Sequence, residues 1–286
     1  MLSRDKLSHV TNILNLKNPK AKGVNHVLDV ITAIEQEDNL LFLNLLLDDD
    51  QDRSLLDSVF TAIKHEPDHE EDILDSFSDN QVLAKTNLVN GLDNLNLLNK
   101  ETEVVIFGCW YGSILIPLLH DKVKSITAID VDDHAISIGQ NRFFDQYDNI
   151  TWITGDIFED YRDMFDTADI FINTSCEHML PMKWWGPKGP RKDHDWFKEW
   201  NGDYRREWKG KDENKWPVYD IGWWERVKPS AHFAFTSNNM YDIPGHINCV
   251  DSIEKFKVQL PAGAEVLTES ELEDERGIRY LLIGKL

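Results

Sequence analysis

Two carboxylates, a pair of glycines and one polar stretch are the residues here whose types and spacing can do chemistry. Gly108 and Gly112 bracket Cys109, Trp110 and Tyr111 just after the apolar run Glu103 to Phe107. A turn of this kind, leaving a strand and entering a helix, lets backbone N–H groups approach a ligand, because glycine tolerates the angles a tight turn requires. Asp130 ends the next β-branched run, 22 residues beyond Gly108. That is close to the ~20-residue offset at which an acidic side chain reaches the hydroxyls of a nucleotide ribose. Asp156 follows a third run in Thr154-Gly155-Asp156-Ile157, and a fourth run opens into Asn173-Thr174-Ser175-Cys176-Glu177-His178-Met179. The amide, carboxylate and imidazole of that stretch are suited to positioning a substrate and accepting a proton from it.

These residues must be carried by alternating strands and helices. After Asn99 short β-branched runs alternate with helical stretches, the pattern of a parallel sheet joined by crossover helices. Strands are expected at Glu103 to Phe107, Ser125 to Asp130, Asn149 to Thr154, Ala168 to Asn173 and His232 to Thr236. Helices are expected at Ser113 to His120, with Ser113 as N-cap, at Asp133 to Phe144, at Phe158 to Phe165 and just beyond Ser252. The runs Glu265 to Glu269 and Ile278 to Gly284, with the turn-like Glu271 to Gly277 between, leave room for a hairpin but not for a crossover helix.

An α/β sheet that ends in an antiparallel hairpin resembles the class I S-adenosylmethionine-dependent methyltransferases, over about residues 100–286. The resemblance implies a doubly wound, mostly parallel seven-stranded sheet with an antiparallel C-terminal hairpin. The stretch Ile106-Phe107-Gly108-Cys109-Trp110-Tyr111-Gly112-Ser113 is similar to the family's first motif, an acidic residue followed by three alternating glycines. Gly108 and Gly112 stand at the first and third glycines, Trp110 at the second and Ile106 at the acidic position. Glu225-Arg226-Val227-Lys228-Pro229-Ser230-Ala231-His232-Phe233 resembles the family's turn into strand five, with Ser230 and Ala231 in place of two glycines.

The resemblance implies S-adenosylmethionine as cofactor, held by Gly108, Cys109, Trp110, Tyr111, Gly112, Asp130, Val131, Asp156, Ile157 and Asn173. Asp156 would then accept from the adenine amino group while Ile157 packs on the ring. The loop after strand four would face the methyl group, with Glu177 or His178 as base and Asn173 fixing a substrate amine or the cofactor's amino-acid end. The Asn- or Asp-Pro-Pro-aromatic pattern of many amine and base methyltransferases is not present there. Two other functions stay open. One is a binding or structural protein that keeps the fold without catalysis, favoured by Trp110 and Ile106; the other is transfer of the cofactor's aminocarboxypropyl group.

Residues 1–97 read as a helical N-terminal region, with Val27, Val30, Ile31 and Ile34, then Leu55, Val59 and Ile63, at helical spacing. Asp48 to Asp52 and Glu66 to Asp72 read as solvated connections between these helices. Residues 98–286 make the second domain, carrying an insertion at about 182–227 that holds eight of the ten tryptophans. That segment is too aromatic for a plain linker and reads as a lid or substrate-binding element. From Lys183 to Lys215 ten Lys/Arg stand against seven Asp/Glu, in a chain whose net charge is −21. Trp184, Trp185, Trp196, Trp200, Trp208 and Trp216 among Arg191, Lys192, Arg205, Arg206 and Lys209 leave nucleic acid possible as a partner. The acidic whole favours a small-molecule or protein acceptor instead. With 41% apolar and 28% charged residues the composition is that of a folded globular protein. Met1 to Leu16 lacks a signal-peptide layout and the longest apolar run, Leu40 to Leu47, is too short for a membrane span, so a cytoplasmic protein without membrane attachment is expected. Cys109, Cys176 and Cys249 lie far apart, and His194 between Asp193 and Asp195 lacks a further ligand, so no metal site is expected. Nothing in the sequence gives the oligomeric state.

Overall fold

The computed structural model describes residues 50–157, 166–179, 181–184 and 227–286. The strands are β1 Glu103–Phe107, β2 Ser125–Asp130, β3 Ile150–Thr154, β4 Ile170–Asn173, β5 His232–Asn238, β6 Glu265–Asp274 and β7 Gly277–Lys285. They form one seven-stranded sheet in the order β3-β2-β1-β4-β5-β7-β6. β2 pairs with β3, β1 with β4 and β4 with β5 in parallel, whereas β7 runs antiparallel to both β5 and β6. This is the mostly parallel α/β sheet with an antiparallel C-terminal hairpin that the resemblance implies.

The chain divides into two compact units. The first comprises residues up to 100 together with 109–154. It contains β2, β3 and the helices α1 Asp50–His65, α2 Glu70–Asp75, α3 Asp79–Asn94, α4 Leu115–Leu119 and α5 Asp133–Ile138. Leu55, Val59 and Ala62 of α1 are buried, as are Ile73, Leu74 and Phe77. The Phe77 ring meets Phe143 at 5.9 Å, so the helical region packs onto the segment that follows α5.

Several sequence expectations need correction here. Glu70 to Asp72 are not a loop but the first turn of α2, and Asp50 to Asp52 lie within α1. Acidic side chains in the first turn of α2 complement the exposed N–H groups of that helix start, which is why a run read as solvated connection folds as helix. Ser113 does not cap α4; Ile114 precedes that helix without a side-chain cap, and the Ser113 hydroxyl bonds Ser76 Oγ at 2.7 Å. The helix expected to run to Phe144 leaves α geometry after Ile138 and continues as a wider turn from Gly139 to Phe143.

The second unit comprises residues 101–108 and 155–286. Val104 to Phe107 and Ile170 to Asn173 are buried without alternation, as strands covered on both faces must be. At the sheet's edge β6 alternates exposed and half-buried residues, with Glu265, Glu269, Glu271 and Glu273 turned outward. Such charges discourage pairing with another edge. Glu271 to Asp274 belong to this strand rather than to the turn, which is only Glu275 and Arg276; Asp274 Oδ1 accepts from the Arg276 and Gly277 amides at 2.8 and 3.2 Å. The turn into β5 is tied down by Lys228 Nζ on Asp169 Oδ1 at 2.9 Å and by the Ala231 amide on the Lys228 carbonyl at 2.8 Å. The short helix expected after Ser252 is α6 Ile253–Lys257, and the Ser252 hydroxyl caps it. Among the described residues no helix is long and apolar enough to cross a membrane. Val27 to Ile34, the helix expected at 158–165 and nearly all of the tryptophan-rich insertion lie outside the described residues.

Candidate functional site

In the first unit the site is built around Asp130, at the carboxyl end of β2. Its Oδ2 accepts the Trp110 amide at 2.6 Å and its Oδ1 the Asp132 amide at 3.0 Å. The Cys109 amide donates to the Ile129 carbonyl and the Gly112 amide to the Cys109 carbonyl, so Cys109 to Gly112 form a closed turn laid against the end of β2. Two residues of that turn have left-handed backbones, Trp110 at φ 51° and Gly112 at φ 67°. Trp110 thus adopts the conformation that a glycine at the second motif position takes without strain. A Cβ on Gly112 would lie 2.7 Å from Ile116 Cγ1 and 3.0 Å from the Trp152 ring, so packing as well as backbone angle requires glycine there.

Burial holds the Asp130 carboxyl above the ordinary carboxylate range, although the Asp132 and Trp110 amides pull it back down. Burial also holds the Cys109 thiol protonated, with the Asp130 charge acting the same way. Cys109 and Tyr111 are buried in the core, Trp110 is half-buried, and Val131 stands 68% exposed. Asp132 caps α5 by accepting the Ala135 amide at 3.0 Å, which fixes the chain immediately after Asp130.

In the second unit Gly108 follows β1 with φ 60°. A Cβ on it would sit 2.9 Å from both Cβ and Oγ of Ser175, and the Ser175 hydroxyl donates to the Gly108 carbonyl at 3.2 Å. Asn173, at the end of β4, is fully buried; its Oδ1 accepts the Ser175 amide at 2.8 Å and its Nδ2 faces Met179 Sδ at 3.2 Å. Asn173 therefore shapes the loop after β4, and its side-chain amide is engaged within it. Asp156 is half-buried and Ile157 buried.

Glu177 and His178, named from the sequence, are joined by a residue that the sequence reading missed. One side-chain ligand atom from each of Glu177, His178 and His246 lies within 4.8 Å of the others. His178 Nδ1 donates to the Gly245 carbonyl and His246 Nδ1 to the Met240 carbonyl, each at 3.0 Å, and the two rings stand perpendicular with centroids 4.6 Å apart. Burial and the neighbouring His178 push the His246 imidazole down to about 4, so it is neutral at pH 7. Cys249 Sγ lies 3.6 Å from His246 Nδ1, its thiol raised to about 12 by burial and by Glu177. Parallel pairing of β4 with β5 is what brings the two loops together. The Ile247 and Asn248 amides both donate to the Glu177 carbonyl at 2.8 Å, and Asn248 Nδ2 donates to the Cys176 carbonyl at 3.2 Å. In the sequence the sole signal is a histidine beside a glycine in the segment after strand five, far downstream of Glu177.

Neither a family model nor a curated protein matches the sequence. Solved structures of similar fold include the N-methyltransferase NodS from Bradyrhizobium japonicum WM9 in complex with S-adenosyl-L-homocysteine, at 16% identity and TM-score 0.47, covering 72% of this chain and 86% of that one. A SAM-dependent methyltransferase from Aquifex aeolicus shares 14% identity over 68% of this chain and 88% of its own, with TM-score 0.42. The PH0226 protein from Pyrococcus horikoshii OT3 shares 13% over 72% and 91%, with TM-score 0.45. At such identities and TM-scores the activities of these proteins do not carry over to this chain.

Proposed function

We propose that this chain is an S-adenosylmethionine-dependent methyltransferase acting on a small-molecule or protein acceptor. The observation that carries the reading is Asp130: a half-buried carboxylate at the carboxyl end of a parallel strand, oriented by the Trp110 and Asp132 amides. A carboxylate offers about four acceptor positions, so the Trp110, Asp132 and Val131 amides still leave capacity for a ribose hydroxyl. The chain's residues fit the cofactor in two further respects. The turn from Cys109 to Gly112 closes against the strand end beside Asp130, and Val131 presents an apolar side chain at 68% exposure next to it. Asp156 and Ile157 are assigned to the adenine, and Asn173 holds the loop that faces the acceptor. The cofactor supplies an electrophilic methyl group. The chain supplies orientation and a proton acceptor, drawn from Glu177 and His178; with Nδ1 donating to Gly245, His178 keeps Nε2 for that role.

Calorimetric titration of S-adenosylmethionine into the native chain and into Asp130→Ala tests this. Micromolar binding that disappears in the variant is expected. A folded native chain that binds no cofactor sinks the reading and leaves the second one, a non-catalytic protein of the same fold. Trp110 favours that alternative, since it fills the glycine position of the turn. Where binding is found, the mass of a modified acceptor separates methyl from aminocarboxypropyl transfer. Nucleic acid is the less favoured acceptor for a chain of net charge −21, even with a basic, tryptophan-rich insertion.

A further inference from the structure

Two imidazoles and a carboxylate on two cross-linked loops are a donor set that divalent first-row transition metals prefer over magnesium or calcium. We propose that Glu177, His178 and His246 form a binding site for such an ion, of which zinc and manganese are the probes. The geometry has three parts. The ligand atoms lie within 4.8 Å of one another, so small rotamer adjustments bring them to the ~3–4 Å separations of donors that share an ion at about 2.0–2.2 Å. Each histidine has Nδ1 committed to a backbone carbonyl, at Gly245 and Met240, which leaves Nε2 with its lone pair. Such outer hydrogen bonds fix tautomer and ring orientation in metal sites. The two loops are held in register by the Ile247 and Asn248 amides on the Glu177 carbonyl and by Asn248 on the Cys176 carbonyl, so the ligands are positioned before an ion arrives. Glu177 is only 6% exposed, and a dication beside it offsets the desolvation of its charge.

Three protein ligands leave coordination positions open, as sites that act on a substrate do. An oxygen of the acceptor bound there loses its proton more readily. The acceptor class this implies is a hydroxyl compound, and Glu177 and His178 then serve as ligands rather than as the base. That consequence rests on the proposed transferase activity; the metal site does not.

The full chain, stripped with chelator and dialysed, is titrated with zinc chloride and separately with manganese chloride, without S-adenosylmethionine. One equivalent is expected to bind per chain, with magnesium weaker by at least about tenfold. His178→Ala and His246→Ala are each expected to weaken binding by about tenfold or more. His178 is exposed, so its variant keeps the metal-free melting curve of the native protein. A folded native chain that takes up neither ion overturns the proposal. So does uptake unchanged in both variants, which would place the ion elsewhere in the chain. Cofactor binding is read in a different titration, so failure of the transferase reading and failure of the metal site are told apart.

Discussion

The Asp130 carboxylate accepts the backbone amide of Trp110 at 2.6 Å, and Trp110 makes that bond from a left-handed backbone at φ 51°. For an L-residue that region costs about 1–2 kcal/mol. The strain is held in place by the hydrogen bond to Asp130 and by the packing of the Trp110 ring on Tyr111 at 4.9 Å. Trp110→Gly and Trp110→Ala remove the same ring, but only glycine relieves the backbone. In urea unfolding the glycine variant should be the more stable of the two by about 1 kcal/mol, even though glycine ordinarily costs stability relative to alanine. Equal stabilities, or a more stable alanine variant, would show that the turn does not hold this conformation in solution.

Asp130 itself carries a pH signature. Burial raises its folded pKa above the unfolded value of ~3.9, so the ionised carboxylate opposes folding at neutral pH. The sign is the reverse of a salt-bridged aspartate: the penalty is present in full above the folded pKa and fades as pH falls toward the unfolded one. Asp130→Asn has no charge to pay for. Its stability relative to the native chain is therefore expected to fall as pH drops from 7 toward about 4, measured by thermal melts of both proteins across that range. A difference that does not change with pH would mean that Asp130 is not desolvated.

The strands and their order of chemistry were legible because period and spacing report them directly. Val104 to Phe107 and Ile170 to Ile172 are continuous apolar runs, and Asp130 ends its run in both readings. What failed was local or long-range. The charge of Glu70 to Asp72 reads as loop, yet acidic side chains stabilise the first turn of a helix as readily as a solvated connection. His246 went unread because nothing near it in sequence marks it. It joins Glu177 and His178 only through the pairing of β4 with β5 and the hydrogen bonds between their loops.

Those hydrogen bonds give a third prediction. Asn248 and Gln259 are buried and exchange side-chain amide bonds at 2.8 and 2.9 Å, while Asn248 also donates to Cys176. Asn248→Ala leaves two groups short of a partner, the buried Gln259 amide and the Cys176 carbonyl, which keeps only the Met179 amide, a loss of about 1–3 kcal/mol. Gln259→Leu in addition removes one of those orphaned groups. The double variant should therefore be less destabilised than the sum of the singles, a coupling of about 1–2 kcal/mol in denaturant unfolding. Simple additivity would refute the buried amide pair.

Gly108 and Gly263 separate two reasons for needing glycine. Both have positive φ, 60° and 92°, but a Cβ on Gly263 meets nothing within 4 Å, whereas one on Gly108 would lie 2.9 Å from Ser175 Cβ and Oγ and 3.0 Å from Met179 Cε. Gly263→Ala therefore measures backbone strain alone, about 1–2 kcal/mol. Gly108→Ala adds a collision with the loop after β4, and overpacking of that kind costs a further ~1–3 kcal/mol. Gly108→Ala should unfold at lower denaturant than Gly263→Ala, and Ser175→Gly, which removes the obstructing Cβ, should restore part of the difference in the Gly108→Ala background. No restoration would mean that the collision is relieved by movement of the turn instead. The loop carrying Glu177 and His178 would then keep its place, and the Gly108 backbone would give way.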